Sequence, residues 1–282
     1  MNLIMGATKN LDVRTLAPFL NSAYNFHCGP VVVFCPDNEE AVIRALSHIN
    51  GKETFRVIAH PPRDDMPVNV YRWFLYRDYF SRFPADEHVR VLFTDMRDVL
   101  FQGDPLTCPG TWDHPAVHCF LEPVLIGLDP YNAVWVNAAG GHGRSLEIAR
   151  MPVSCSGTVI ASGNAIAEYL EALTGCLSRI TESGQRPAGP WQFGWDQGAH
   201  NHIIRGTPSF SVRFHENGDH VLTLLKTRCR NLELKDGSVC GTGCPPAAIL
   251  HQYDRMEDGA AQSRIVFKSS SYERYTKKES DT

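Results

Sequence analysis

Thr94-Asp95-Met96-Arg97-Asp98 sets two carboxylates close together, directly after the apolar run Val89-Arg90-Val91-Leu92-Phe93. A β-branched and aromatic run of this kind reads as a strand buried on both faces, and open α/β sheets bind ligands just beyond the carboxyl ends of such strands. Two acids there raise each other's pKa unless a hard divalent cation or an Arg/Lys partner neutralises them. Arg97 is one candidate partner, and an Asp-Arg-Asp surface turn is the plain alternative. In a continuing strand Asp95 and Arg97 share one side while Asp98 falls opposite, so only a turn after Asp95 brings both acids to one ion.

Three later segments carry further chemistry: Cys155-Ser156-Gly157-Thr158, Trp195-Asp196-Gln197-Gly198-Ala199-His200-Asn201 and His251-Gln252-Tyr253-Asp254-Arg255. An imidazole joined to two carboxylates suits Mn²⁺ better than Mg²⁺, which prefers oxygen and water. Asp196 opens an expected helix, where it serves either as an N-cap or as a general base. Trp191 and Trp195 offer a flat apolar face or simple core packing.

In this order, the blocks Thr-Asp-x-Arg-Asp-Val-x-Phe-Gln, Cys-Ser-Gly-Thr, Asp-Gln-Gly-x-His-Asn and His-Gln-Tyr-Asp-Arg resemble nucleotide-sugar glycosyltransferases of the GT-A type, over about residues 1–265. The resemblance implies transfer of a sugar from a nucleoside diphosphate sugar to a hydroxyl acceptor such as a glycan, with Mn²⁺ or Mg²⁺ as cofactor. It implies Asp98 as a direct metal ligand, His251 as a second, and Asp95 on the metal, a metal-bound water or the ribose. Ser156, Gly157 and Thr158 line the donor sugar by the same resemblance. Ala7 and Thr8 begin to enclose the nucleoside, and Arg72 and Arg77 reach the base or phosphates unless they only solvate a helix face. Asp196 and Gln197 are expected beside the sugar hydroxyls or the acceptor and Arg97 at the donor, while Arg255 and Lys268 either reach the diphosphate or are solvated charges. The pattern departs from the family at two places: the acidic motif is Asp-x-Arg-Asp, and the late His lacks a Gly-x-x-Lys-Pro continuation. The stereochemical course stays open.

The elements that must position these groups read as a β-α-β opening, with strands over 2–7 and 30–35 around a helix from Val13 to Phe26. A helix over Glu39–Ile49, a strand from Phe55 to Ala59 and a helix from Tyr71 to Phe83 lead into the strand before Asp95. This alternation predicts an α/β fold: a GT-A-like, Rossmann-type, mostly parallel sheet flanked by helices. Beyond it, Leu121–Asn132 and Val153–Ala161 read as extended, and Ala165–Thr174 and the residues from Asp196 to Arg205 as helices. Phe210–Phe214 and Val221–Thr223 are expected in a smaller mixed sheet in the C-terminal half. A single domain over 1–267 with a flexible tail over 268–282 is the economical division.

Composition narrows the function. A net charge of −4 and a pI near 6.3, with Lys and Arg scattered, give no nucleic-acid footprint. No stretch approaches the roughly 18 apolar residues of a membrane span, and the N-terminus lacks a signal-peptide order, which together point to the cytoplasm. Nine cysteines, an odd count, do not form a small disulfide framework. Cys229, Cys240 and Cys244 with His251 lack the paired spacing of a zinc site. No glycine-rich phosphate loop is present, so a metal is the expected phosphate partner. A sugar nucleotidyltransferase and a non-catalytic carbohydrate- or nucleotide-binding protein on the same fold are the competing classes.

Overall fold

The structure is a computed structural model and describes residues 1–10, 13–41, 43, 55–107, 114–225 and 231–256. Its opening is the expected one: β1 (Asn2–Ala7), α1 (Val13–Phe26), β2 (Val31–Pro36), β3 (Phe55–His60), α2 (Val68–Arg82) and β4 (Arg90–Thr94). The helix expected over Glu39–Ile49 falls for the most part outside the described residues, as do Lys268 and the tail. After a short β5 (Val99–Phe101) come β6 (Val117–Leu125), α3 (Pro130–Gly140), α4 (Arg144–Glu147), β7 (Pro152–Ser162), α5 (Ala165–Glu182) and α6 (Trp195–Ile204). Five further short strands close the chain's described part: β8 (Val212–His215), β9 (Val221–Thr223), the hairpin β10 (Leu232–Lys235) and β11 (Ser238–Gly241), and β12 (Ile249–His251).

Seven strands form the central sheet in the order β3-β2-β1-β4-β7-β6-β8. β1 to β4 lie parallel, β7 is antiparallel to both β4 and β6, and β8 is parallel to β6, so β7 alone is reversed. Alternation within each strand explains the continuous apolar runs. Leu3, Met5, Val32, Phe34, Val91 and Phe93 face one core with α2 and α5, whereas Ile4, Val31, Val33 and Leu92 face another with α1. The first core is aromatic: Tyr76 stacks on Phe93 with centroids 5.3 Å apart, and Trp73 lies edge-on to Phe93 and Tyr169 at 5.6 and 5.8 Å.

The elements after Asp98 depart from expectation in three places. Leu121–Asn132 is not extended throughout, because the strand stops at Leu125 and Asp129 caps α3 by accepting the Asn132 N–H, with Pro130 at the first helical position. The helix from Ala165 continues past Thr174 to Glu182, carried by buried Cys176, Leu177 and Ile180. Phe210–Phe214 does not enter the small sheet: Phe210 packs in the aromatic core beside Tyr169, and Val212–His215 pairs with the open edge of β6. The small sheet has the order β5-β12-β9, with His251 opposite Val99 and Thr223. That register sets a late histidine beside the residue following Asp98. Among the described residues no helix is long and apolar enough to cross a membrane.

Candidate metal centre and cleft

β4 ends at Thr94, yet the Asp95 N–H still donates to the Gly157 carbonyl at 2.8 Å, so Asp95 stays level with β7. The chain then bends over Met96–Asp98 before β5 begins, which is the turn needed to bring both acids together. Asp95 Oδ2 lies 3.5 Å and Asp98 Oδ1 3.8 Å from His251 Nε2. One ligand atom from each of the three residues falls within 4.8 Å of the others. His251 is fully buried, and its Nε2 has no hydrogen-bond partner. Its Nδ1 sits 3.5 Å from Cys155 Sγ, which also accepts the Gly157 N–H at 3.2 Å. An imidazole held on one nitrogen, with the other orphaned between two carboxylates, is the donor set a divalent cation of borderline hardness takes.

Gly157 is required by this packing. A Cβ there would come within 2.3 Å of Asp95 Oδ2 and 2.9 Å of His251 Nε2.

Two arginines, neither of them Arg97, balance the acids. Arg72 pairs with Asp95 on one side and with Asp196 Oδ2 at 3.2 Å on the other, and Arg255 reaches Asp98 Oδ2 at 3.0 Å. Arg97 turns instead to Asp254, its Nε donating at 3.0 Å. Burial would raise the Asp95 carboxyl, but Arg72 and His251 override it and hold the group below the usual carboxylate range. For Asp98 burial wins over His251 and Arg255, and the carboxyl rises. Burial works against protonating His251, but Cys155, Asp95 and Asp98 outweigh it and hold the imidazole above its usual value. Burial pushes the Cys155 thiol up to about 11.

A cleft of about 530 Å³ opens beside the cluster. Arg72, Asp95, Arg97, Ser156, Gly157, Asp196, Gln197 and Arg255 line it, while Asp98 and His251 are buried next to Asp95. Asp196 is not the N-cap of α6. Gly194 holds that place in the left-handed region at φ 89°, and Asp196, in the first turn, faces inward. Its Oδ1 accepts from Asn69 Nδ2 at 2.7 Å, and its Oδ2 accepts from Ser156 Oγ at 2.9 Å and from Trp73 Nε1 and Arg72 at 3.2 Å. Burial pushes the Asp196 carboxyl up, while Arg72 and the Trp73 and Ser156 donors work against that rise. Gln197 bridges the Ser156 N–H and Asn132 Oδ1.

Four candidate residues lie away from the cleft lining. Ala7 and Thr8 are buried at the end of β1, where the Thr8 N–H donates to the Phe34 carbonyl. Thr158 is buried opposite Thr94 in the β4–β7 ladder. Arg77 lies over the Phe74 ring and pairs with its neighbour Asp78. Trp195 is a core residue, and Trp191 packs on Tyr131 with centroids 4.6 Å apart. The cleft also recruits Asn69, Glu122, Asn132 and Gln252, which sequence reasoning did not single out. One signal was present, since Glu122 is the lone acid in the strand Val117–Leu125. Of the zinc reading, Cys229 lies outside the described residues and Cys244 is exposed, while His251 belongs to the acidic cluster.

No known protein family matches the sequence, and no curated protein matches it.

Proposed function

We propose that the chain is a metal-dependent glycosyltransferase that moves a sugar from a nucleoside diphosphate sugar to a hydroxyl acceptor. The observation that carries this reading is the convergence of Asp98 and His251, with an orphaned Nε2, directly behind Asp95 in the wall of a polar cleft beyond the end of β4. The mostly parallel sheet with a small second sheet is consistent with the GT-A architecture the motifs resemble. Asp95, Asp98 and His251 would hold Mn²⁺ or Mg²⁺, and a bound cation supplies Lewis-acid stabilisation to the departing diphosphate. Arg97 and Arg255 line the same cleft and add positive charge where that diphosphate develops its own negative charge. The Ser156-Gly157 backbone lets a ligand approach the cluster closely. Asp196 fixes Arg72 and the Ser156 hydroxyl; with its oxygens taken by four donors, its work is to hold the wall in place.

A binding protein without turnover is the second reading. It is favoured by the pairing of Asp95 with Arg72 and of Asp98 with Arg255, which compensates both acids without a cation. A thermal-shift panel of nucleoside diphosphates and nucleotide sugars, with and without Mn²⁺, followed by donor hydrolysis, separates the two. Ligand at 100 times its Kd stabilises the folded state by about 2.7 kcal/mol. A Mn²⁺-dependent shift confined to one nucleobase, together with donor hydrolysis, is expected. A shift without hydrolysis or transfer selects the binding role, and no shift with any nucleotide removes the transferase reading and leaves a carbohydrate-binding role.

A further inference from the structure

The cleft holds a polar pair that neither the metal cluster nor Asp196 uses. β6 and β7 lose register beside it. Cys119 pairs with Val159 and Leu121 with Ser154, so Cys155–Thr158 bulge away from β6, and on the far side of Leu121 three residues from Glu122 to Val124 oppose Val153 alone. Such bulges re-aim side chains next to sites. Here the irregularity brings Glu122, only 3 % exposed, to the cleft wall.

The other acids of that wall are held. Asp95 and Asp196 share Arg72, and Asp129 accepts the Asn132 backbone N–H at 3.0 Å. Among the described residues Glu122 has neither a cation in ion-pair reach nor a backbone donor. Its hydrogen-bond contacts are the Cys155 thiol and Gln252 Nε2 at 3.5 Å. Gln252 is itself unusual. It is a non-glycine residue in the left-handed region (φ 56°, ψ 35°), fastened there by its N–H to the Asp98 carbonyl at 2.8 Å. Its side chain lines the cleft, and its Oε1 is buried without a hydrogen-bond partner. Backbone strain of this kind persists where the surroundings over-determine it.

We propose that Glu122 and Gln252 form a hydroxyl-reading pair that binds the sugar of the donor. This rests on the transferase reading above. The pair presents two acceptors side by side, a carboxylate and a free amide oxygen, so the matching ligand brings adjacent O–H or N–H donors. Neighbouring sugar hydroxyls do so, whereas an ionised phosphate brings acceptors alone. Gln252 directly follows His251 in the chain, and Cys155 touches both His251 and Glu122. A ligand part at the pair therefore adjoins whatever the cluster holds, which is the position of the sugar on its diphosphate and not of an acceptor entering at the mouth.

The test measures affinity on the full chain with Mn²⁺, for UDP and GDP and for UDP-glucose, UDP-galactose, UDP-N-acetylglucosamine and GDP-mannose. The variants are Glu122→Gln and Gln252→Asn, the second chosen because Asn tolerates the left-handed backbone. For the nucleotide sugar that wild type prefers, Glu122→Gln is expected to lose about 10- to 100-fold in affinity, the scale of one hydrogen bond to a charged group, and Gln252→Asn about 2- to 10-fold, the scale of a neutral one, with affinity for the parent diphosphate kept. Equal losses for diphosphate and nucleotide sugar, or no loss, overturn the pair. Unchanged donor affinity with a raised KM for a saccharide acceptor also overturns it as a donor reader. If wild type binds a diphosphate no more weakly than every nucleotide sugar built on it, the pair falls and the nucleotide site stands; if it binds none, both fall. Should Glu122→Gln fail to fold by circular dichroism, Gln252→Asn carries the comparison alone.

Discussion

Asp98 and Asp196 are both buried carboxylates beside arginines, yet their surroundings make opposite predictions. Arg255, the partner of Asp98, is nearly half exposed and can turn to water when the acid is removed. Asp98→Asn is therefore expected to keep its fold by circular dichroism while losing the Mn²⁺-dependent shift and at least about 10-fold of donor hydrolysis; unchanged metal dependence would remove Asp98 as a ligand. Asp196 faces Arg72, which is buried, along with Asn69, Trp73 and Ser156. Removing that acid strands a charge and three donors, so Asp196→Ala should cost about 3–5 kcal/mol in urea denaturation. A variant that stays stable but inactive would return Asp196 to the role of general base. The acids and the late histidine were legible because residue type and order alone mark them. Glu122, Gln252 and Asn69 were not, because what aims them is a bulge, a left-handed backbone and the start of α2, none of which a linear pattern displays.

At the scale of elements, the approach of α6 to α3 sets the cleft wall. Trp135 fills the space beside α6 so closely that a Cβ on Gly198 would lie 2.3 Å from its backbone carbonyl. Gly198→Ala is expected to destabilise by about 1–3 kcal/mol through overpacking. Gly206→Ala, whose nearest atoms stand at 3.5 Å, serves as the near-neutral control in the same denaturation series. Equal effects at the two positions would mean that the α3–α6 contact yields readily. The strands β1, β2 and β4 were readable because both faces are buried and leave long apolar runs. α3 was not, since Asp129-Pro130 reads as a break in an extended segment although it caps a helix. The pairing of β8 with β6 was hidden as well, because which sheet adopts a short strand depends on which edge lies open.

For the whole molecule, acid is the condition to which the packing is most exposed. His200 is buried between the Ser154 hydroxyl and the Tyr169 phenol, each at 2.9 Å, and burial lowers its pKa to about 3. His118, stacked on His215, is lowered to about 3 by burial and by that neighbour. Both bind a proton more readily unfolded, where the ordinary value is near 6.5. Their contribution is therefore intact above that pH and lost as pH falls toward 3, by up to about 1.4 kcal/mol per pH unit for each histidine. Urea midpoints between pH 7 and 4 should show this slope, and His200→Gln should remove about one proton from it; an unchanged slope would mean that His200 is not what takes up acid on unfolding. The small three-stranded sheet has a consequence of another kind. Its strands are only three residues long, yet β12 carries His251 to Asp98 across about 150 residues of chain. In polymer terms, an ion shared by these two side chains is a cross-link that closes a very long loop, and by analogy with a disulfide it removes on the order of 5 kcal/mol of freedom from the unfolded chain. Chelation should then loosen the segment from Val221 to Met256 before the central sheet, with proteolytic nicks appearing there first, so that a metal held by these residues would act as a clasp on the fold.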